Sequence, residues 1–226
     1  MNDPWAFGWT PLLTIVGFVI TVGIAAFGFR TFERWRREKI EEKKLDIALE
    51  AMALAHESKY VFETIRSPMS FPWEWKDMPR SPGESDEAAH NREPYFAILA
   101  RIDRSKDFFE RLFKLQPRFM ALFGADSEAI FMKVHTARRT IEVSASMLMK
   151  TINSGEGRTE NRRRQHDQWE CDIWDGMDQA YAADLPHATR VADQIRSFRD
   201  DVVALCEPVV TRKESAGAGR LFSWKP

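Results

Sequence analysis

The sequence predicts an all-α fold: a single N-terminal transmembrane helix, then a long stalk helix and a cytoplasmic antiparallel helical bundle. Three observations carry that expectation. Pro11 to Phe29, PLLTIVGFVITVGIAAFGF, is apolar and free of charge. Apolar residues beyond it recur at steps of three and four, the spacing of one helix face. No segment longer than a few residues alternates as a strand would.

The first element is the span, residues 11–29. No charged residue lies between Pro4 and Arg30. As a helix the run covers about 28 Å, close to the hydrocarbon core of a bilayer. Trp5 and Trp9 precede it, and Arg30, Arg34, Trp35, Arg36, Arg37 and Lys39 follow it, the layout of an aromatic belt and a basic cytoplasmic flank. A cleavable signal peptide would want a basic leader, a shorter run and a small-residue cleavage site. Here the leader is Met-Asn-Asp-Pro, and Ala25-Ala26 precedes bulky Phe27 and Phe29, which favours a retained anchor. The Lys/Arg asymmetry places residues 1–10 outside and the remainder in the cytoplasm, so the expected location is an integral membrane protein of the inner or plasma membrane. Thr10, Thr14, Gly17, Thr21, Ala25 and Gly28 form a stripe of small residues, a helix-pairing face that would make a homo-oligomer.

Residues 30–46 form a charged juxtamembrane stalk in which Glu33 and Arg37 stand one turn apart. The bundle is assigned to residues 47–207. Ile47–Ala55, IALEAMALA, is apolar nearly all round and reads as the centre of the core, continued by Val61, Phe62 and Ile65. A Pro/Trp-rich loop, residues 67–93, follows. Phe71, Trp73 and Trp75 alternate there, so an extended backbone would turn all three to one side, as a patch for a partner or as a cap on the core. Pro94 opens the next helix, Pro117 kinks or ends it, and Gly124 stops the short apolar turn after it. Asp126 or Ser127 caps a helix with Ile130, Val134, Ala137, Ile141, Ala145, Leu148 and Ile152 on one face. A further helix is expected from near Arg162 to Leu185, and a last one from His187 to about Cys206 with heptad-like, coiled-coil spacing. Pro208 closes it, and residues 208–226 read as a disordered tail.

Chemistry is sparse. A formal net charge of −1 gives no global basic bias, so nucleic acid is not an expected partner. Cys171 and Cys206 lack CxxC spacing and read as isolated thiols. There is no Walker motif, GxGxxG, GxSxG or HExxH. Glu87-Ala-Ala-His90 is a single ExxH, where di-iron bundles use two. His166 and Glu170 share one helix face beside Asp167, Cys171 and Asp172, yet a metal site would need a third ligand from elsewhere. The cluster Arg158, Arg162, Arg163 and Arg164 reads as a solvated loop. No catalytic residue, metal or cofactor is assigned. The function expected is a membrane-anchored interaction or scaffold module whose partners are the lipid bilayer, an unidentified protein and a second copy. The alternatives are a membrane-tethered enzyme with a metal or acid/base site near His166 and Glu170, and a small oligomeric pore subunit.

Overall fold

The computed structural model describes residues 9–153 and 159–221, with side chains at 13–153 and 159–211. Trp5, Arg158 and the Gly155–Gly157 loop lie outside the described residues, and Trp9 is described only as backbone. All the regular structure described is helical. The helices are α1 (Trp9–Ile65), α2 (Asp86–Arg104), α3 (Lys106–Phe123), α4 (Glu128–Thr151), α5 (Glu160–Ile173), α6 (Met177–Ala180) and α7 (Arg190–Leu221), with 3-10 turns at Pro72–Glu74 and Ala125–Ser127. The chain divides into two compact units, the first ending at Asp46 and the second starting at Ile47.

In the first unit every side chain of α1 from Leu13 to Lys43 is exposed. The helix is long and apolar enough to cross a membrane, and none of its most apolar window is buried within the protein. Phe18, Ile24 and Phe27 are 69%, 69% and 76% exposed. After Phe29 the charges pair along the helix: Arg34 Nε donates to Glu38 at 3.1 Å, Lys39 to Glu42 at 2.7 Å, and Glu33 lies 3.8 Å from Arg37. Exposed pairs of this kind add only tenths of a kcal/mol each, about 0.3–0.5.

In the second unit α4 touches α2, α3, α5 and α7. Its stripe Val134, Ala137, Ile141, Ala145 and Leu148 is wholly buried, joined by Phe131, while Ile130 and Ile152 are partly covered. A chain of rings fills the interior. Phe62 of α1 meets Phe109 of α3 edge-to-face at 6.0 Å, Phe119 meets Phe131 at 5.2 Å, and Phe131 meets Phe198 of α7 at 5.9 Å. Ile47–Ala55 is less enclosed than its composition suggests. Ile47, Ala48, Ala51, Leu54 and Ala55 are buried, but Leu49 is 47% exposed, so the segment uses one face as an ordinary amphipathic helix does.

Several boundaries differ from the sequence expectation, each for a local reason. α2 begins at Asp86, two turns before Pro94, because Ser85 caps it by accepting from the Ala88 N–H at 3.1 Å. Those turns are also tied down from outside: Asn153 Nδ2 donates to the Ala88 carbonyl at 2.8 Å, and Arg92 reaches Glu84 at 2.6 Å. The helix break expected near Pro117 falls at Ser105, and α3 runs through Pro117 to Gly124. An interior proline costs about 3 kcal/mol. Leu115 and Phe119, both fully buried, each return about 1.5–3 kcal/mol. Gly124 does stop α3, at φ 101°, a backbone state that glycine adopts without strain. Ser127 is not a side-chain cap, for its hydroxyl donates to the Gly124 carbonyl at 2.6 Å. The helix expected from Arg162 to Leu185 is split. α5 starts at Glu160 and ends at Ile173, Trp174 is extended, and Gly176 at φ 88° turns the chain into α6. α7 starts at Arg190 and passes Pro208, where Val209 and Val210 still pack against the core.

The end of α5 is held by Arg66, only 3% exposed. Its Nη2 donates to the Cys171 and Trp174 carbonyls at 2.9 and 3.0 Å and to Asp178 Oδ2 at 3.2 Å, and its Nε donates to the Asp172 carbonyl at 3.1 Å. Removing this guanidinium takes the Arg66 donors from buried carbonyls and leaves the buried Asp178 carboxylate without its counter-charge, a loss of about 3–5 kcal/mol. Arg66→Leu is therefore expected to lower the thermal midpoint of the full chain in detergent by many degrees, read by circular dichroism. Arg34→Leu, on the exposed part of α1, should leave the midpoint nearly unchanged.

Candidate functional site

The Pro/Trp-rich loop is pinned to the second unit by one carboxylate. Glu74 lies in the 3-10 turn Pro72–Glu74 and is 6% exposed. Arg101 and Arg104, one turn apart near the end of α2, both reach it. Arg101 Nε donates to Oε1 at 2.8 Å and Nη2 to Oε2 at 2.7 Å, a two-pronged pair, while Arg104 Nη2 donates to Oε1 at 3.0 Å. The Phe71 N–H donates to Oε2 at 3.0 Å, closing the turn on itself. Arg101 is itself buried, and its other donors bind the Ser67 carbonyl at 2.6 Å, the Ile65 carbonyl at 3.4 Å and the Met69 carbonyl. One guanidinium thus gathers the carbonyls of the chain leaving α1 and the carboxylate of the turn.

This clamp replaces the extended backbone expected for residues 71–75. Phe71 and Trp73 do face the same way: their rings stack at 6.2 Å and 10°, and they are 46% and 61% exposed. Trp75 is half-buried and does not share that surface fully. The Arg104 guanidinium lies 4.4 Å from the centre of the Trp73 ring, a cation–π contact that fixes the indole from beneath. Met69, 68% exposed, adds to the patch. The result is a rigid pair of outward aromatics on a buried ionic base.

The other sequence candidates are placed apart from it. His166 is buried and its Nδ1 lies 3.8 Å from Glu170 Oε1, to which the Tyr95 hydroxyl donates at 3.3 Å. Among the described residues no group of three His, Cys, Asp or Glu side chains is arranged to hold a metal ion. Burial, with Asp172 and Asp178 nearby, pushes the Cys171 thiol up to about 11, so it is protonated and not nucleophilic at neutral pH. Cys206 is also buried and in no disulfide. Asp172 is spoken for: Arg190 Nε donates to Oδ1 at 2.7 Å, and the Ser144 hydroxyl donates to Oδ2 at 2.7 Å. His90 of the ExxH is exposed and pairs with Glu93 at 2.8 Å. Arg164 pairs with Glu160 at 3.2 Å on the surface. In the span, the Thr21 hydroxyl donates to the Gly17 carbonyl at 2.8 Å, within its own helix. A Cβ built on Gly17 or Gly28 would meet nothing within 4 Å among the described residues, so packing within this chain does not call for glycine there.

Comparison with protein families, with curated proteins and with solved structures returns no match to this chain. The class that the fold defines is a helical protein with one long apolar helix near its N-terminus.

The Arg101 hydrogen bonds hold the Glu74 carboxyl down to about 2 from its ordinary 4.5. A depressed carboxyl contributes stability that is complete above the unfolded value and is lost as pH falls toward the folded one. Amide exchange in residues 69–78 should therefore speed up as pH drops from 4.5 toward 2, after correction for the intrinsic rate. Glu74→Gln should remove that pH dependence and raise exchange at neutral pH.

Proposed function

We propose that this protein is a membrane-anchored cytoplasmic interaction module. Residues 11–29 cross the bilayer, and an antiparallel helical bundle presents the Phe71–Trp73 pair to a protein partner. The observation that carries the reading is the charge-free run of α1, whose side chains from Leu13 on are all exposed, with none buried among the described residues. In water such a surface would be costly, at about 25 cal/mol for each Å² of apolar area, and a bilayer removes that cost. The basic residues Arg30, Arg34, Arg36, Arg37 and Lys39 favour keeping that end inside, and Phe32 and Trp35, with rings 5.8 Å apart, suit the headgroup level. The stripe Thr14, Gly17, Thr21, Ala25 and Gly28 supports pairing of two copies, since small residues let backbones approach closely.

The patch supports a partner role because its aromatics are solvent-facing and already rigid, which lowers the entropy lost on binding. The tethered-enzyme reading gains nothing from the geometry around His166 and Glu170, where the carboxylate already takes the Tyr95 hydroxyl.

Two experiments test the proposal. C-terminal fusions should give fluorescent green fluorescent protein and inactive alkaline phosphatase; active phosphatase would reverse the orientation. Replacing Phe71 and Trp73 together by serine should abolish a cross-linked partner band in native membranes while leaving the thermal midpoint within a few degrees. Unchanged cross-linking would remove the patch from the account.

A further inference from the structure

The second unit carries a cavity of about 330 Å³ along the outer face of α4, walled by Trp169 of α5 and Arg190 of α7. Its volume sits at the small end of the range for organic ligands. Met132 and Val143, 46% and 48% exposed, mark the two ends of the α4 wall, and Arg139 lies between them. Among the described residues no carboxylate lines the cavity and the Arg139 side chain makes no ion pair. Arg190 is already paired, its Nε and Nη2 donating to the two oxygens of the fully buried Asp172 carboxylate, so it forms a wall of the cavity while Arg139 is the cation left for a ligand. Trp169 and the two aliphatic ends supply apolar surface beside these cations.

The second cavity, about 380 Å³, is different in kind. There Lys59 pairs with Glu63, Arg66 with Asp175 and Asp178, Arg196 with Asp193 and Arg199 with Asp200, so every cation of its wall already has a carboxylate. Of these two cavities, the one on α4 sets a cation without an ion pair among the described residues, Arg139, beside an indole wall.

We infer that the α4 cavity binds an organic anion, a phosphate or carboxylate joined to an apolar or aromatic body, with Arg139 on the anion and Trp169 against the body. Guanidinium groups suit these oxyanions because their N–H donors match two oxygens at once. The same chemistry is offered by a soluble aryl phosphate and by an anionic lipid head with its chain, and the test separates the two sources.

The full chain in phosphatidylcholine nanodiscs is titrated calorimetrically with phenyl phosphate. Saturable one-to-one binding is expected. Arg139→Gln, at an exposed position where folding is not at stake, should weaken it about tenfold, the size of one charge-assisted hydrogen bond. Arg164→Gln, an exposed arginine elsewhere on α5, should change it less than about twofold. Inorganic phosphate and benzyl alcohol, each lacking one half of the ligand, should bind more weakly than phenyl phosphate. Nanodiscs containing phosphatidate identify the source: a further loss of phenyl phosphate affinity there assigns the site to lipid heads, and equal affinity assigns it to a soluble anion. No saturable binding in phosphatidylcholine discs overturns the inference, as does an equal loss in the Arg139 and Arg164 variants. Inorganic phosphate binding as tightly as phenyl phosphate overturns the role of Trp169.

Discussion

Arg66 carries a full positive charge into a place where 3% of the residue meets solvent, and the second unit is arranged so that the charge is used. It stands just past the end of α1 and gives its donors to the Cys171 and Asp172 carbonyls, among the last of α5, which a helix end leaves unpaired, and to the Trp174 carbonyl just beyond. The Asp175 N–H answers by donating to the Arg66 carbonyl at 2.8 Å. On the other side of the same α5 turn, the Asp172 carboxylate takes Arg190 from α7 and Ser144 from α4. Four helices are thereby joined through one turn of polypeptide. Apolar packing supplies most of the free energy of such an interior, but it tolerates sliding. Buried donors with fixed acceptors do not, since each misplaced group would be left unsatisfied.

Arg101 does the same work for the chain on either side of Arg66. It collects the carbonyls of Ile65, Ser67 and Met69 and then turns to Glu74, so the loop after α1 has a set path. The exposure of Phe71 and Trp73 follows from this. A turn held by a buried ion pair can display apolar rings without collapsing onto the core, and the Arg104 guanidinium beneath Trp73 stiffens the display further.

Periodicity made some of this legible. The buried face of α4 and the exposure of the charge-free run follow directly from the spacing of Ile130 through Leu148 and from the composition of residues 11–29. The prolines misled, because a local cost of a few kcal/mol at Pro94 and Pro117 is outweighed by caps and core contacts formed by residues distant in sequence. The hubs went unread for a related reason. Arg66, Glu74, Arg101 and Asp172 look like ordinary surface charges until their partners, up to 112 residues away, are known. One signal was present: Arg101 sits three residues after Ile98, on the apolar stripe of α2, where a charge requires a buried partner. The alternation grouped Phe71, Trp73 and Trp75 on one side of an extended backbone, whereas Trp75 is half-buried. Phe71 and Trp73 face together through a 3-10 turn, and Glu74 between the tryptophans is the residue that fixes them.

The proposed function rests on residues 11–29 lying in a bilayer, and alkaline carbonate extraction of membranes from cells expressing the full chain tests that most directly. The account predicts that the intact chain stays with the membrane pellet and dissolves only when detergent is added. Release of the chain into the supernatant by carbonate alone, or recovery of a form shortened past Phe29, would contradict it.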